Sequence, residues 1–178
     1  MKYIILILLL AASPAKSEHE FLLGYMKMNQ DLFKTIEFNI DGAMLGYTYW
    51  YGSFGFKVQA GKGVESPNAL YVQNKFYKAD IQSLFSGTIM YRQKVTNKWN
   101  IEGGIGKTDY KSAWTINTEP APWGVGSDSD WSYHLGVTYK TGTNWKVGLE
   151  YVDAYRKDKK GYGEETTNYF NLSIRYIL

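Results

Sequence analysis

The stretch from Asn168 to Leu178, NYFNLSIRYIL, decides the fold class. From Phe170 onward every second residue is large and apolar: Phe170, Leu172, Ile174, Tyr176 and Leu178. Asn171, Ser173 and Arg175 lie between them. A period of two marks a β-strand with one buried face. The pattern runs to the last residue with no polar tail, at a position where chains usually fray. A strand paired on both sides does not fray. The expectation is therefore a terminal strand that closes a barrel against the first one.

The same alternation recurs along the chain. YHLGVTYK puts Tyr133, Leu135, Val137 and Tyr139 on one face, with His134, Gly136, Thr138 and Lys140 opposite. WKVGLEY sets Trp145, Val147, Leu149 and Tyr151 against Lys146, Gly148 and Glu150. WNIEGGIG, FKVQAG and FSGTIMYR follow suit, as does LGYTYWY with Trp50 blurring the pattern. EFLLGYMKM, the first strand, is apolar on both faces, and its orientation stays open. These segments and the terminal one predict eight strands. Gly52–Gly55, Val95–Lys98 and Thr141–Asn144 carry the Gly and Asn chemistry of tight hairpins. Long polar connections are expected at about 29–43, 65–78, 115–130 and 157–165. Alternating short and long connections describe an up-and-down meander with all tight turns at one end. Eight such strands close and leave no exposed edge. The predicted fold is an all-β, eight-stranded antiparallel up-and-down transmembrane β-barrel.

Composition narrows the context. The chain has 178 residues, no cysteine, two histidines (His19 and His134), 16 tyrosines and six tryptophans. Disulfides and thiolate metal sites are excluded. Tyr3–Ala12 is an apolar run behind Met1-Lys2 and ahead of SPAKS, the pattern of a secretory signal peptide. Its length falls short of the ~20 residues of a spanning helix. Residues 1–17 are expected to be the leader, cleaved after Ser17 or, as second choice, after Ala15; residues 18–178 are expected to form the barrel domain. Without Lys2 and Lys16, 18 basic residues face 17 acidic ones. That balance gives no reason to expect nucleic acid as a partner.

A barrel with one apolar and one polar face has two solutions. In water the apolar face lines the interior; in a membrane it meets lipid. Three features favour lipid. Tyr51, Tyr91, Trp99, Tyr139, Trp145 and Tyr176 fall at one height beside the tight turns, with Phe54 and Phe56, as an aromatic ring at a membrane–water boundary would. Trp114, Trp131, Tyr155 and Tyr169 are candidates for a second ring. The polar face carries Gly61, Gly104, Gly106, Gly136 and Gly148, which a narrow lumen needs and a solvated surface does not. The terminal strand, thirdly, is apolar to its end.

The pattern WSYHLGVTYKTGTNWKVGLEYVDAYRKD…TTNYFNLSIRYIL resembles the small eight-stranded outer-membrane barrels of the OmpA/OmpX-like group. The resemblance covers the whole chain after the leader and lies in patterns rather than invariant residues. That group usually ends in Phe, whereas this chain ends in Leu178. The resemblance implies a Gram-negative outer membrane, insertion by the barrel-assembly machinery, tight turns in the periplasm and long loops outside. It implies a monomer that meets lipid and lipopolysaccharide, with a porin-like architecture and a structural or adhesive surface role. Host surfaces or phage are the partners expected at the loops.

The candidate chemistry is sparse. Alternation aims Lys57, Arg92, Glu102, His134, Lys146, Glu150 and Arg175 into the lumen, where buried charges must be paired or hydrated. Glu102 and Glu150 have Lys57, Arg92, Lys140, Lys146 and Arg175 as possible partners. Eight strands leave an interior that side chains fill, so a pore is not expected. His134 is the one strand residue suited to acid–base work, but the His-x-Ser pattern of deacylase barrels is missing from YHLG. Asp128 and Asp130 in GSDSDW lack the spacing of a calcium loop. No catalytic, metal or cofactor residue is assigned. YRKDKKGYGEE is a charged loop suited to lipopolysaccharide phosphates or a host surface. Two alternatives stay open: a lipid-A-modifying barrel enzyme, and a secreted soluble barrel carrying an apolar ligand.

Overall fold

The computed structural model describes residues 17–32, 36–63, 70–72, 75–116, 124–159 and 163–178. The expected leader, apart from Ser17, lies outside the described residues. The strands are β1 (Ser17–Leu32), β2 (Ile36–Tyr51), β3 (Phe54–Gly63), β4 (Leu70–Val72), β5 (Lys75–Lys94), β6 (Trp99–Ile116), β7 (Gly124–Lys140), β8 (Trp145–Lys159) and β9 (Gly163–Ile177). Each long strand is antiparallel to its neighbours, and the β1–β9 and β3–β5 ladders close the ring. Short β4 only extends the loop end of β5. The result is a closed eight-stranded barrel, with β9 paired on one side to β8 and on the other to β1.

The register fixes the barrel's girth. Starting at Glu18 and stepping across the ladders, one meets Trp50, Gly55, Met90, Gly104, His134, Val152 and Tyr169, and returns to β1 at Met28. The stagger around the ring is thus ten residues. With strands ~4.8 Å apart and a rise of ~3.3 Å per residue, this tilts the strands by about 40° and gives a radius of about 8 Å. A tube that narrow has room for side chains and little else.

The hairpins at Gly52–Ser53, around Thr96 and around Gly142 lie at one end, with Ser17 and Leu178 beside them. Gly52 has φ 63°, a left-handed conformation that a β-carbon would strain. The Leu178 N–H donates to the His19 carbonyl at 3.0 Å, so the last residue is tied to the first strand.

The long connections expected at the other end are mostly strand. β1 and β2 pair as far as Leu32↔Ile36, inside the segment read as a loop over 29–43. β6 and β7 pair up to Trp114↔Gly124, and β8 and β9 up to Lys159↔Gly163. GSDSDW lies in β7, and most of YRKDKKGYGEE lies in β8 and β9.

The physical reason is an exchange of faces partway up the wall. Near the tight turns the outward face is apolar: Leu45 and Leu135 are each 62% exposed and Phe170 52%. The next outward positions are polar. Tyr25 is followed by Lys27, Ile105 by Lys107, and Phe170 is preceded by Asn168. On β7 the apolar outward run spans Trp131 to Tyr139, about 20 Å along the axis at this tilt. Inside, the order reverses. Glu20, Lys57, Glu102, Lys146, Glu150 and Arg175 fill the turn half of the lumen. Met26, Met28, Phe38, Ile40, Leu84, Tyr110, Ala154 and Tyr169 pack the loop half as one buried apolar cluster. Beyond the apolar belt the wall is polar outside and packed mainly with apolar side chains inside.

There the wall also divides. The β7–β8 ladder stops at Tyr133↔Asp153, and the β3–β5 ladder at Gly61↔Leu84. Above those points β2, β1, β9 and β8 form one sheet, and β4, β5, β6 and β7 another. Among the described residues no ladder joins them, and the apolar cluster lies between.

Replacing Ile40 by Ala should lower the unfolding free energy in detergent by about 2–4 kcal/mol, because the side chain is fully buried in the apolar cluster. Lys111→Ala, outward at a similar height, should change it by less than about 0.5 kcal/mol. Equal effects in urea titrations would contradict a packed core above the belt.

Candidate functional site

The turn half of the lumen holds two charge clusters. Alternation on eight strands aims their side chains to one axis, and the small radius brings them into contact. At the mouth Arg92 donates to Glu18 at 2.7 Å and to Glu20 at 3.1 Å. Lys146 donates to the same two carboxylates, at 2.7 Å to Glu18. The Arg92 guanidinium lies 4.3 Å above the Trp50 ring. Arg175 links this layer to the next: it donates to Glu102 at 2.6 Å and lies 3.5 Å from Glu20. Thr138 donates to Glu102 at 3.2 Å. Arg175 crosses over Gly148, where a β-carbon would come within 3.0 Å of its guanidinium.

The second cluster centres on Glu150. Lys57 donates to Glu150 Oε1, and Gln59 to Oε2 at 3.2 Å. His134 Nδ1 lies 3.0 Å from Oε1. This assigns the ring proton to Nδ1 and leaves Nε2 as acceptor for the hydroxyls of Thr88 and Ser132, at 3.1 and 3.2 Å. Thr108 donates in turn to Ser132 at 2.9 Å.

Four carboxylates (Glu18, Glu20, Glu102, Glu150) meet four fixed cations (Lys57, Arg92, Lys146, Arg175), so the network balances its own charge. This is the arrangement that low dielectric demands: an unpaired charge there costs several kcal/mol, and pairing with additional hydrogen bonds offsets it. The seven lumen residues assigned from the sequence all lie in these two clusters. Lys140 lies at the rim and forms no ion pair among the described residues. Glu18 and Glu20 were missed because β1 could not be oriented. The charge count held the signal: four lumen cations against Glu102 and Glu150 alone leave two carboxylates wanting.

Ser132, His134 and Glu150 follow the hydroxyl–imidazole–carboxylate order of acyl hydrolases. Ser132 is 0% exposed, Thr88 competes for Nε2, and Lys57 and Gln59 share the carboxylate. A lipid would have to pass through the wall to reach Ser132. The trio works here as part of the hydrogen-bonded filling.

The aromatic ring faces outward at the turn end. Trp99 and Tyr139 pack as tilted rings with centroids 4.8 Å apart, Trp145 and Tyr176 likewise at 4.9 Å, and Tyr91 meets Phe54 edge-on at 5.4 Å. Tyr51 stands beside Phe54 in the register. The second ring differs from expectation. Tyr169 points inward and is fully buried, because it has the parity of Asn171 and Arg175 rather than of Phe170. The side chains of Trp114 and Tyr155 lie outside the described residues. Trp131 faces outward at the upper edge of the belt, as expected, and is joined there by Tyr25, Tyr133, Tyr151 and Phe170.

No protein-family model matches the chain, and no curated protein does. Solved structures do match. The attachment invasion locus protein Ail of Yersinia pestis, in complex with the heparin analogue sucrose octasulfate, is 13% identical with a TM-score of 0.64, over 92% of this chain and 99% of that one. Neisserial surface protein A is 9% identical with a TM-score of 0.66, over 89% and 96%. Ail in a phospholipid bilayer nanodisc is 11% identical with a TM-score of 0.51, over 92% and 100%. At such identities the likeness is one of fold: this chain has the architecture of small eight-stranded outer-membrane barrels.

Lys57→Met or Glu150→Gln alone should each cost about 3–5 kcal/mol, since each leaves a buried charge without its partner. The double variant should cost less than their sum, and additivity in a double-mutant cycle would contradict the pairing.

Proposed function

We propose that the protein is an outer-membrane barrel that holds a water-facing β-structure above the cell surface, where it binds rather than catalyses. The exchange of faces along the wall supports this best. An apolar belt with aromatic borders suits a bilayer, and polar-out, dry-core strands beyond it suit the aqueous exterior. A soluble carrier would turn Leu45, Leu135 and Phe170 inward, and here they face out. The tight turns then lie in the periplasm, after export by the 1–17 leader and insertion by the barrel-assembly machinery as a monomer.

Two features bear on partners. Lys27, Lys62, Lys107 and Lys111 face outward just beyond the belt, at the level of lipopolysaccharide phosphates, which attract such cations. The heparin analogue held by Ail is a precedent for polyanion contact by a barrel of this shape. Where β7 and β8 part, each leaves backbone without a ladder partner among the described residues, a geometry that accepts an added strand from a host or phage protein. The sealed Ser132–His134–Glu150 trio gives no support to lipid-A chemistry.

The chain has no cysteine, so single-cysteine variants report topology cleanly. On intact cells a membrane-impermeant maleimide should label Lys111→Cys. Thr143→Cys, in a tight turn, should react only after the outer membrane is permeabilised. The reverse pattern would overturn the surface assignment.

A further inference from the structure

The turn-end mouth of the lumen is a recess of about 310 Å³ that the charge network does not explain. Its floor is Glu18 with Arg92 and Lys146, already matched to carboxylates. Its rim carries Lys94 and Lys140. Neither forms an ion pair among the described residues, and the lumen network is neutral without them. Two positive charges are therefore left over, both on inward positions around one open concavity. Register sets Lys94 opposite Asn100 and Lys140 opposite Lys146, so the cations curve around the opening. Asn97 and Asn100 add amide donors to the lining. Asn100 Nδ2 donates one N–H to Thr138 at 3.2 Å.

We infer that this recess binds a small soluble polyanion carrying phosphate groups. The residue types select the ligand. The guanidinium of Arg92 spends its Nη1 on Glu18 and Glu20, so its charge is already matched. The open cations are lysine ammoniums, point charges that suit phosphate oxygens from several directions. Concave walls of low dielectric raise the local potential above that of the same lysines on a flat surface. The recess opens to water whichever way the barrel faces in its membrane, so the site stands or falls separately from the surface role.

The test uses the full chain in amine-oxide detergent, with sodium pyrophosphate as the probe at fixed ionic strength. Amide NMR signals of Ser53, Asn97 and Asn100 should shift saturably, with a Kd below about 1 mM. In Lys94→Ala/Lys140→Ala the Kd should rise about tenfold or more, while the barrel keeps its heat-sensitive mobility in SDS. Unsaturable shifts, or an affinity that the double variant leaves unchanged, would overturn the site. Nanodiscs separate the sources: equal affinity in phosphatidylcholine and phosphatidylglycerol supports a soluble ligand. Loss of pyrophosphate binding in phosphatidylglycerol would mean that a lipid headgroup fills the recess, which overturns the soluble assignment.

Discussion

Hydrocarbon offers no partner for a backbone N–H or carbonyl, so a β-structure crosses a bilayer only as a closed ring. The same wall, continued into water, must satisfy the opposite demand on its side chains. Lipid wants apolar residues outside; water wants them inside. The barrel meets both by exchanging faces at one height. On β1 the outward set changes from Phe21, Leu23 and Tyr25 to Lys27, while the inward set changes from Glu20 to Met26 and Met28. Closure matters only within hydrocarbon, and the β7–β8 ladder ends at Tyr133↔Asp153, close to where the outward face turns polar.

The lumen chemistry follows from the girth. A radius of about 8 Å forces inward side chains into mutual contact. In the turn half those side chains include charges, which are tolerated only as matched sets. Arg175 ties Glu20 to Glu102, and Gly148 gives it room. The apolar cluster closes the lumen above. Charge below and apolar packing above together fill the tube.

The part of the fold in the belt was readable because its alternation is uniform: apolar residues face lipid on every strand, and the tight turns carry their own chemistry. The part beyond was misread as long loops for a physical reason. In IEFNID, Phe38 and Ile40 alternate with Glu37, Asn39 and Asp41, but with parity opposite to that of the belt on the same strand. A pattern that reverses midway looks mixed when read as one strand. That also explains why EFLLGYMKM resisted orientation, why Tyr169 was assigned to a surface ring, and why Glu18 and Glu20 were absent from the lumen set. The mouth recess was invisible to sequence, since it depends on which cations the network leaves unmatched.

A depth scan of β1 tests the exchange of faces most directly. Single cysteines at positions 21 to 29, labelled with a small fluorophore, would be read in bilayers of brominated lipid. Quenching should be strong at Phe21, Leu23 and Tyr25, weak at Leu22 and Gly24, and lost at Lys27 and Asn29. Strong quenching that continues with the same parity through Asn29 would place the upper wall in lipid and contradict the account.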